Sequence, residues 1–136
     1  MLSIYPCSCD DIAELAILNH MLIEDEKAEN NMDSRELRNR MAEFLRTDYK
    51  AFFFVKNSAH IGYALVNTQV SPIYLRQFFI CREHRKRGYG RKAFNTLLEH
   101  LQIKEIDIDV CAWNQGGMSF WKALGFEVRY HGMRLK

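Results

Sequence analysis

Residues 74–92 read YLRQFFICREHRKRGYGRK. The first eight form an aromatic and β-branched run that suits a central β-strand. The next eleven hold six Lys or Arg against one Glu, and two glycines, Gly88 and Gly90, on either side of Tyr89. Beyond them Ala93, Phe94, Leu97, Leu98 and Leu101 recur at three- and four-residue spacing, so a helix begins near Gly90. The local order is strand, basic glycine turn, helix. A helix N-terminus leaves backbone N–H groups without partners and carries about half a positive charge. Glycine lets the backbone approach a ligand, and successive N–H groups form a nest for an anion. With Arg85, Lys86, Arg87, Arg91 and Lys92 around the same point, the stretch suits a pyrophosphate and a further phosphate nearby. It lacks the third glycine of G-x-G-x-x-G and the G-K-[ST] ending of a P-loop, which sets both motifs aside.

Working outward, Leu2–Tyr5 is a short strand candidate, and Ser8 with Asp11 starts a first helix whose apolar positions include Ile12, Leu15, Ala16, Leu22 and Ile23. Asp33 with Glu36 marks a second start, with Leu37, Met41, Phe44 and Leu45 as its stripe, ending near Thr47. Residues 51–56 and 60–68 pair as a hairpin across the turn at 57–59. After the glycine turn and its helix, Glu105–Ala112 alternates with period two as a strand. A short helix from Gln115 to Ala123 stops at Gly125, and residues 126–136 hold one or two short strands. There are no repeats and no linker, so residues 1–136 are expected to form one domain.

At 136 residues and 48% hydrophobic, the chain can bury a core. No apolar run approaches the roughly 18 residues that cross a bilayer, and the N-terminus lacks a basic region followed by an apolar run and a cleavage site, so a soluble, cytoplasmic protein with no membrane partner is expected. The four cysteines, at 7, 9, 81 and 111, include no C-x-x-C pair and no histidine at finger spacing, so no metal is expected and the thiols read as reduced. The net charge of +2 hides an asymmetry: Asp10 to Glu36 holds nine acids against Lys27 and Arg35, whereas 82–92 is basic. Such a chain suits an anionic ligand and a cationic one at different places.

Two segments carry a resemblance. Arg85-x-x-Gly88-x-Gly90, preceded by Phe78-Phe79-Ile80 and followed by an amphipathic helix, resembles the acyl-CoA-binding motif of the GCN5-related N-acetyltransferase (GNAT) superfamily. Val110, Asn114 and then FWKALGF at 120–126 is similar to that superfamily's second signature. The resemblance covers nearly the whole chain. It implies an α+β fold of three layers (α/β/α), with a mixed, mostly antiparallel central sheet of six to seven strands and two helices on each side. It also implies an acetyl-CoA-dependent N-acetyltransferase, acting on a primary amine of a small molecule or peptide by direct attack in a ternary complex. By position, the backbone of Phe78, Phe79 and Ile80 would pair with the pantetheine arm. Arg85, Lys86, Arg87, Gly88, Tyr89, Gly90 and Arg91 would wrap the pyrophosphate, and Asn114 would hold the far side of the arm.

A base must deprotonate the attacking ammonium. Asp109 aligns with the catalytic Glu of the branch that acetylates protein N-termini. Glu24, Asp25 and Glu26 form a second group, because acids at a helix C-terminus invite a positive partner. Trp121 stands where many relatives have an acid tyrosine, and indole N–H cannot protonate a leaving thiolate. It is expected to pack against the cofactor's sulfur end, with Tyr89, Cys111 and Tyr130 as alternative acids. Two rival readings are a nucleic-acid binder, which leaves the 114–126 signature unexplained, and a catalytically silent acyl-CoA-binding sensor or assembly protein. No nucleic-acid partner is expected, and the state is monomer or homodimer.

Overall fold

The computed structural model describes residues 1–136. Its elements are β1 (Leu2–Pro6), α1 (Ile12–Glu26), α2 (Ser34–Arg46), β2 (Tyr49–Lys56), β3 (Ala59–Asn67), β4 (Ile73–Ile80), α3 (Tyr89–Leu101), β5 (Ile106–Ile108) and α4 (Gln115–Ala123). Two of the helical starts are capped as the sequence suggests. Ser8 and Asp11 form a capping box on a single 3-10 turn before α1. Asp33 accepts from the Glu36 N–H at 2.8 Å while Glu36 accepts from the Asp33 N–H at 3.1 Å, satisfying two orphan donors at the start of α2.

The sheet runs β1-β2-β3-β4-β5, antiparallel except for the parallel β4–β5 pair. Strand alternation sends neighbouring residues to opposite faces. Phe53, Tyr63, Leu65 and Phe79 meet Leu15, Leu18 and Leu22 of α1 and Met41 of α2. Phe52, Phe54, Ala64, Val66 and Leu75 meet Ala93, Phe94 and Leu97 of α3, with Trp121 of α4 and Leu124 just past its end at the margin. Two apolar layers therefore flank one mixed sheet, with two helices on each side.

Regular pairing between β3 and β4 is broken or strained at two places. Leu65 pairs with Gln77 and Val66 with Leu75, so Arg76 is an extra residue bulged out of β4. A bulge breaks the alternation. Arg76 and Gln77 consequently both turn toward α1 and α2: the Arg76 guanidinium lies 4.9 Å from the Phe44 ring centre, and Gln77 Oε1 accepts from Tyr63 Oη at 2.7 Å. Further along, β3 and β4 approach so closely at Gly62 that a Cβ there would lie 2.0 Å from the Phe79 carbonyl oxygen.

The sheet has five strands, not six or seven. Expected over Glu105–Ala112, β5 is only Ile106–Ile108, because β4 and β5 part after the Leu75–Ile108 pair and the later residues have no ladder to join. Residues 126–136 form no strand either. Phe126 packs against Phe94 and Trp121, but the apolar side chains beyond it are spaced by Arg129, His131 and Arg134 and bury against neither face: Val128, Tyr130, Met133 and Leu135 are all exposed. Three-residue β5 offers little edge to template another strand. Side chains alone hold the segment beside it, through Arg129 to Asp107 at 3.6 Å and Tyr130 Oη to Asp109 at 3.2 Å. No helix is long and apolar enough to cross a membrane.

Candidate active site

Where β4 and β5 part, the edge of β4 from Phe78 to Ile80 has no strand beside it. Which backbone groups it presents is set by the antiparallel alternation. The Cys81 N–H donates to the Ile61 carbonyl at 2.8 Å, so Cys81 and Phe79 face β3 while Ile80 and Phe78 face the gap. Of the three backbones that the resemblance assigns to a ligand, that of Phe79 is therefore turned to β3. The Ile80 carbonyl accepts from Arg85 Nε at 2.7 Å. The N–H of Ile80 and both backbone groups of Phe78 are left on the open edge.

The strand leads through a 3-10 turn, Arg82–His84, into the glycine turn. Lys86 (φ 61°) and Gly88 (φ 77°) both adopt the left-handed region. A glycine takes that conformation without the strain a Cβ imposes. The turn aligns its amides: the N–H groups of residues 86–91 donate to no carbonyl, and the first to find one is Lys92, onto Gly88 at 3.2 Å. The basic side chains divide. Arg85 is tied inward, to Ile80 and to the Asp25 carboxylate, with its guanidinium 5.1 Å from the Phe79 ring centre. Arg91 donates to the Ala123 carbonyl at 3.3 Å and so pins the end of α4. Lys86 and Arg87 are exposed and make no ion pair.

Asp25, near the end of α1, also accepts from Arg82 Nε at 2.8 Å. Burial alone would raise its carboxyl, but the two guanidinium groups outweigh burial and hold it below the ordinary carboxylate range. A depressed carboxylate stabilises the fold above its unfolded value, about 3.9, and loses that contribution as pH falls through the folded value. Asp25→Asn is therefore expected to melt below the parent at pH 5 to 8 and to converge with it toward about pH 2. Thermal melts of the two proteins across that range test this.

A cavity of about 40 Å³ opens at the parting of the strands. Glu26, Arg76, Gln77, Phe78, Asp109 and Trp121 line it. The half-buried Glu26 carboxyl is raised, first by burial and then by the charge of Asp25. Asp109 is engaged at both oxygens: Tyr74 Oη donates to one at 2.8 Å and Tyr130 Oη to the other at 3.2 Å. The Tyr74 phenol is raised by burial and then by Asp109, and the Tyr130 phenol chiefly by Asp109. Trp121 packs among Phe78, Phe94, Phe120 and Phe126, at ring-centre distances from 4.8 to 5.5 Å. Asn114 caps α4, its Oδ1 accepting from the Gly117 N–H at 3.0 Å, which leaves the amide nitrogen free. Across the mouth, Trp113 Nε1 donates to the carbonyls of Glu26 and Lys27 at 3.0 and 3.1 Å, closing orphan acceptors at the end of α1.

The structure thus brings Glu26, Asp109 and Trp121 together and leaves Glu24 outside, exposed on α1 beside His20 at 3.8 Å. Of the alternative acids, Tyr130 reaches Asp109, while Tyr89 packs 6.4 Å from His84 in the turn. The Cys111 thiol is raised, mainly by burial. Tyr74, Arg76 and Gln77 escape sequence reasoning because they sit inside a run that reads only as strand. A larger hollow, about 890 Å³, lies at the opposite end of the sheet among Cys7, Ser8, Tyr49, Lys50 and His100. Its Cys7 thiol is pushed up to about 12 by burial and by Asp11 and Glu14, and stays protonated at neutral pH.

Solved structures match this architecture along the whole chain. A possible acetyltransferase from Clostridium difficile 630 superposes with a TM-score of 0.80 at 15% identity, covering 100% of this chain and 97% of that one. A predicted acetyltransferase with acetyl-CoA from Clostridium acetobutylicum gives 0.76 at 18%, covering 100% and 96%. The ribosomal-protein-alanine N-acetyltransferase of Brucella melitensis biovar Abortus 2308 gives 0.73 at 11%, covering 100% and 99%. No curated protein matches the sequence. The family model for the acetyltransferase (GNAT) family matches residues 15–126, a span that takes in the glycine turn, the parted strands and α4, and the chain belongs to that family.

Proposed function

We propose that the chain transfers an acetyl group from acetyl-CoA to a primary amine, the amine attacking the thioester while both substrates are bound. The observation that carries this reading is the continuous path from the open edge of β4 into the unpartnered amides of residues 86–91. An extended amide-bearing arm adds to such an edge as a strand would. A pyrophosphate suits the amides and the start of α3. Lys86 and Arg87, free of internal partners, meet its charge. Acetyl-CoA in the Clostridium acetobutylicum relative supports the choice of donor.

Glu26 is the base in this reading. An alkyl ammonium has a pKa near ~10.4, and a carboxylate raised toward it takes the proton more readily than an ordinary one. Asp109, with both oxygens already accepting phenol protons, orients Tyr74 and Tyr130 instead. As the nitrogen bonds to the thioester carbon, the carbonyl electron pair moves onto oxygen, where the free Phe78 N–H stabilises it. The attacking nitrogen gives its remaining excess proton to solvent, the oxygen's electron pair re-forms the C=O, and the C–S bond breaks with sulfur leaving as thiolate. Against a thiol pKa of about 8.5, departure without an acid forgoes on the order of 2 kcal/mol at neutral pH, which leaves transfer feasible beside Trp121.

The test is a melt with acetyl-CoA followed by thiol release with a panel of amines. Donor at about 100 times its Kd contributes about 2.7 kcal/mol and raises the melting temperature by several degrees. No shift discards the donor. A shift without amine-dependent thiol release favours the silent acyl-CoA-binding alternative, for which Trp121 in place of an acid is the supporting observation.

A further inference from the structure

Part of the acidic charge of Asp10–Glu36 is already engaged. Asp25 is held by Arg82 and Arg85, Glu29 lies 3.5 Å from Arg134, and Glu24 sits beside His20. The acceptor side presents basic groups that make no ion pair. Arg40 of α2 and Arg76 of the β4 bulge lie against the same Phe44 ring, at 5.4 and 4.9 Å from its centre. Neither makes an ion pair. Arg40 donates once, from an Nη to Asn19 Oδ1 at 2.9 Å, and its Nε is buried with no partner at all. Arg76 reaches only Tyr49 Oη, at 3.4 Å.

Two like charges beside one ring repel each other, and a guanidinium group withdrawn from water is ordinarily paired with an acid. Here burial, and then the charge of Arg76, lower the Arg40 pKa, the direction expected of a cation lacking its anion. The bulge that aims Arg76 also aims Gln77, whose Oε1 is taken by Tyr63 and whose amide N–H groups remain as further donors. Arg76 and Gln77 line the same cavity as Glu26.

We infer that the acceptor is an amine that also carries an anionic group, a carboxylate or a phosphate, which docks on Arg40 and Arg76 while its nitrogen lies at Glu26. The amine half rests on the proposed transferase reading; the anion half is tested separately.

Binding is measured with CoA present, so that no turnover intervenes, for β-alanine against propylamine, γ-aminobutyrate against butylamine, and phosphoethanolamine against ethylamine. On the parent, the anionic member of at least one pair is expected to bind ~10–100-fold tighter, the range of one charge-assisted hydrogen-bonded contact, and Arg76→Gln to abolish that preference while leaving the plain amine within about threefold. The carboxylate and phosphate arms identify which anion the site takes. Arg76 is exposed, so this variant is expected to fold, with its melting temperature as the check. Arg40→Lys, which keeps the charge and loses the fork, is expected to retain part of the preference. Plain amines binding as well as their anionic partners, or Arg76→Gln weakening both alike, overturns the inference. Anion-dependent binding without thiol release sustains the anion site and rejects the transferase reading. Thiol release with no anion preference does the reverse.

Discussion

Glu26→Gln is expected to lower kcat/KM for amine-dependent thiol release by ~10²–10⁴-fold while the stabilisation by acetyl-CoA persists, the loss typical of a missing general base. The substitution keeps size and hydrogen-bonding capacity and removes only the basic charge. The pH dependence supplies the sign. The Glu26 carboxyl is raised by burial and by Asp25, so the parent's rate falls on the acid side above the usual carboxylate range as Glu26 takes up its proton, and the Gln variant loses that limb. Asp109→Asn is the control. With Tyr74 and Tyr130 already donating to its two oxygens, Asp109 acts by holding them, and its loss is expected to cost about tenfold or less. A large loss at Asp109 with little at Glu26 would exchange the two roles.

The largest stability effect is expected at Gly62, where the two strands come closest. A methyl there would fall 2.0 Å from the Phe79 carbonyl oxygen and 3.1 Å from Ile80, both parts of β4. Backbone cannot step aside as a long side chain can, so β3 and β4 must separate where their pairing carries both apolar layers. Gly62→Ala is expected to cost about 3 kcal/mol or more, and to lower the melting temperature by roughly 10 °C or more. A melt within about 2 °C of the parent would mean that the strands accommodate the methyl. Since Phe78 and Ile80 face the gap from this stretch of β4, surviving Gly62→Ala protein is also expected to bind acetyl-CoA more weakly.

How much of this was legible in the sequence varied with the range of the interaction. The glycine turn, the two capping boxes and the α3 stripe are written in neighbouring residues, and they lie where the spacing implies. The two motifs in their order imply the three-layer arrangement. The missing strands fail for a long-range reason: 105–112 and 126–136 alternate acceptably, but a strand exists only where another strand pairs with it, and the parting of β4 from β5 removes the partner. The site divides similarly. Motif singles out Asp109 and Trp121, and position at a helix end singles out Glu26. The saturation of Asp109 by Tyr74 and Tyr130, and the re-aiming of Arg76 by a one-residue bulge, depend on register between distant segments. Arg85, too, reads as a phosphate ligand from charge, whereas its side chain is occupied with Ile80 and Asp25.

Both tryptophans of this chain stand at the cleft: Trp121 lines the cavity, and Trp113 binds the Glu26 carbonyl across its mouth. The tryptophan emission of the unlabelled protein therefore originates at the place where the two substrates would meet. Quenching or a spectral shift on titration would report occupancy of the cleft directly, in real time and without a dye.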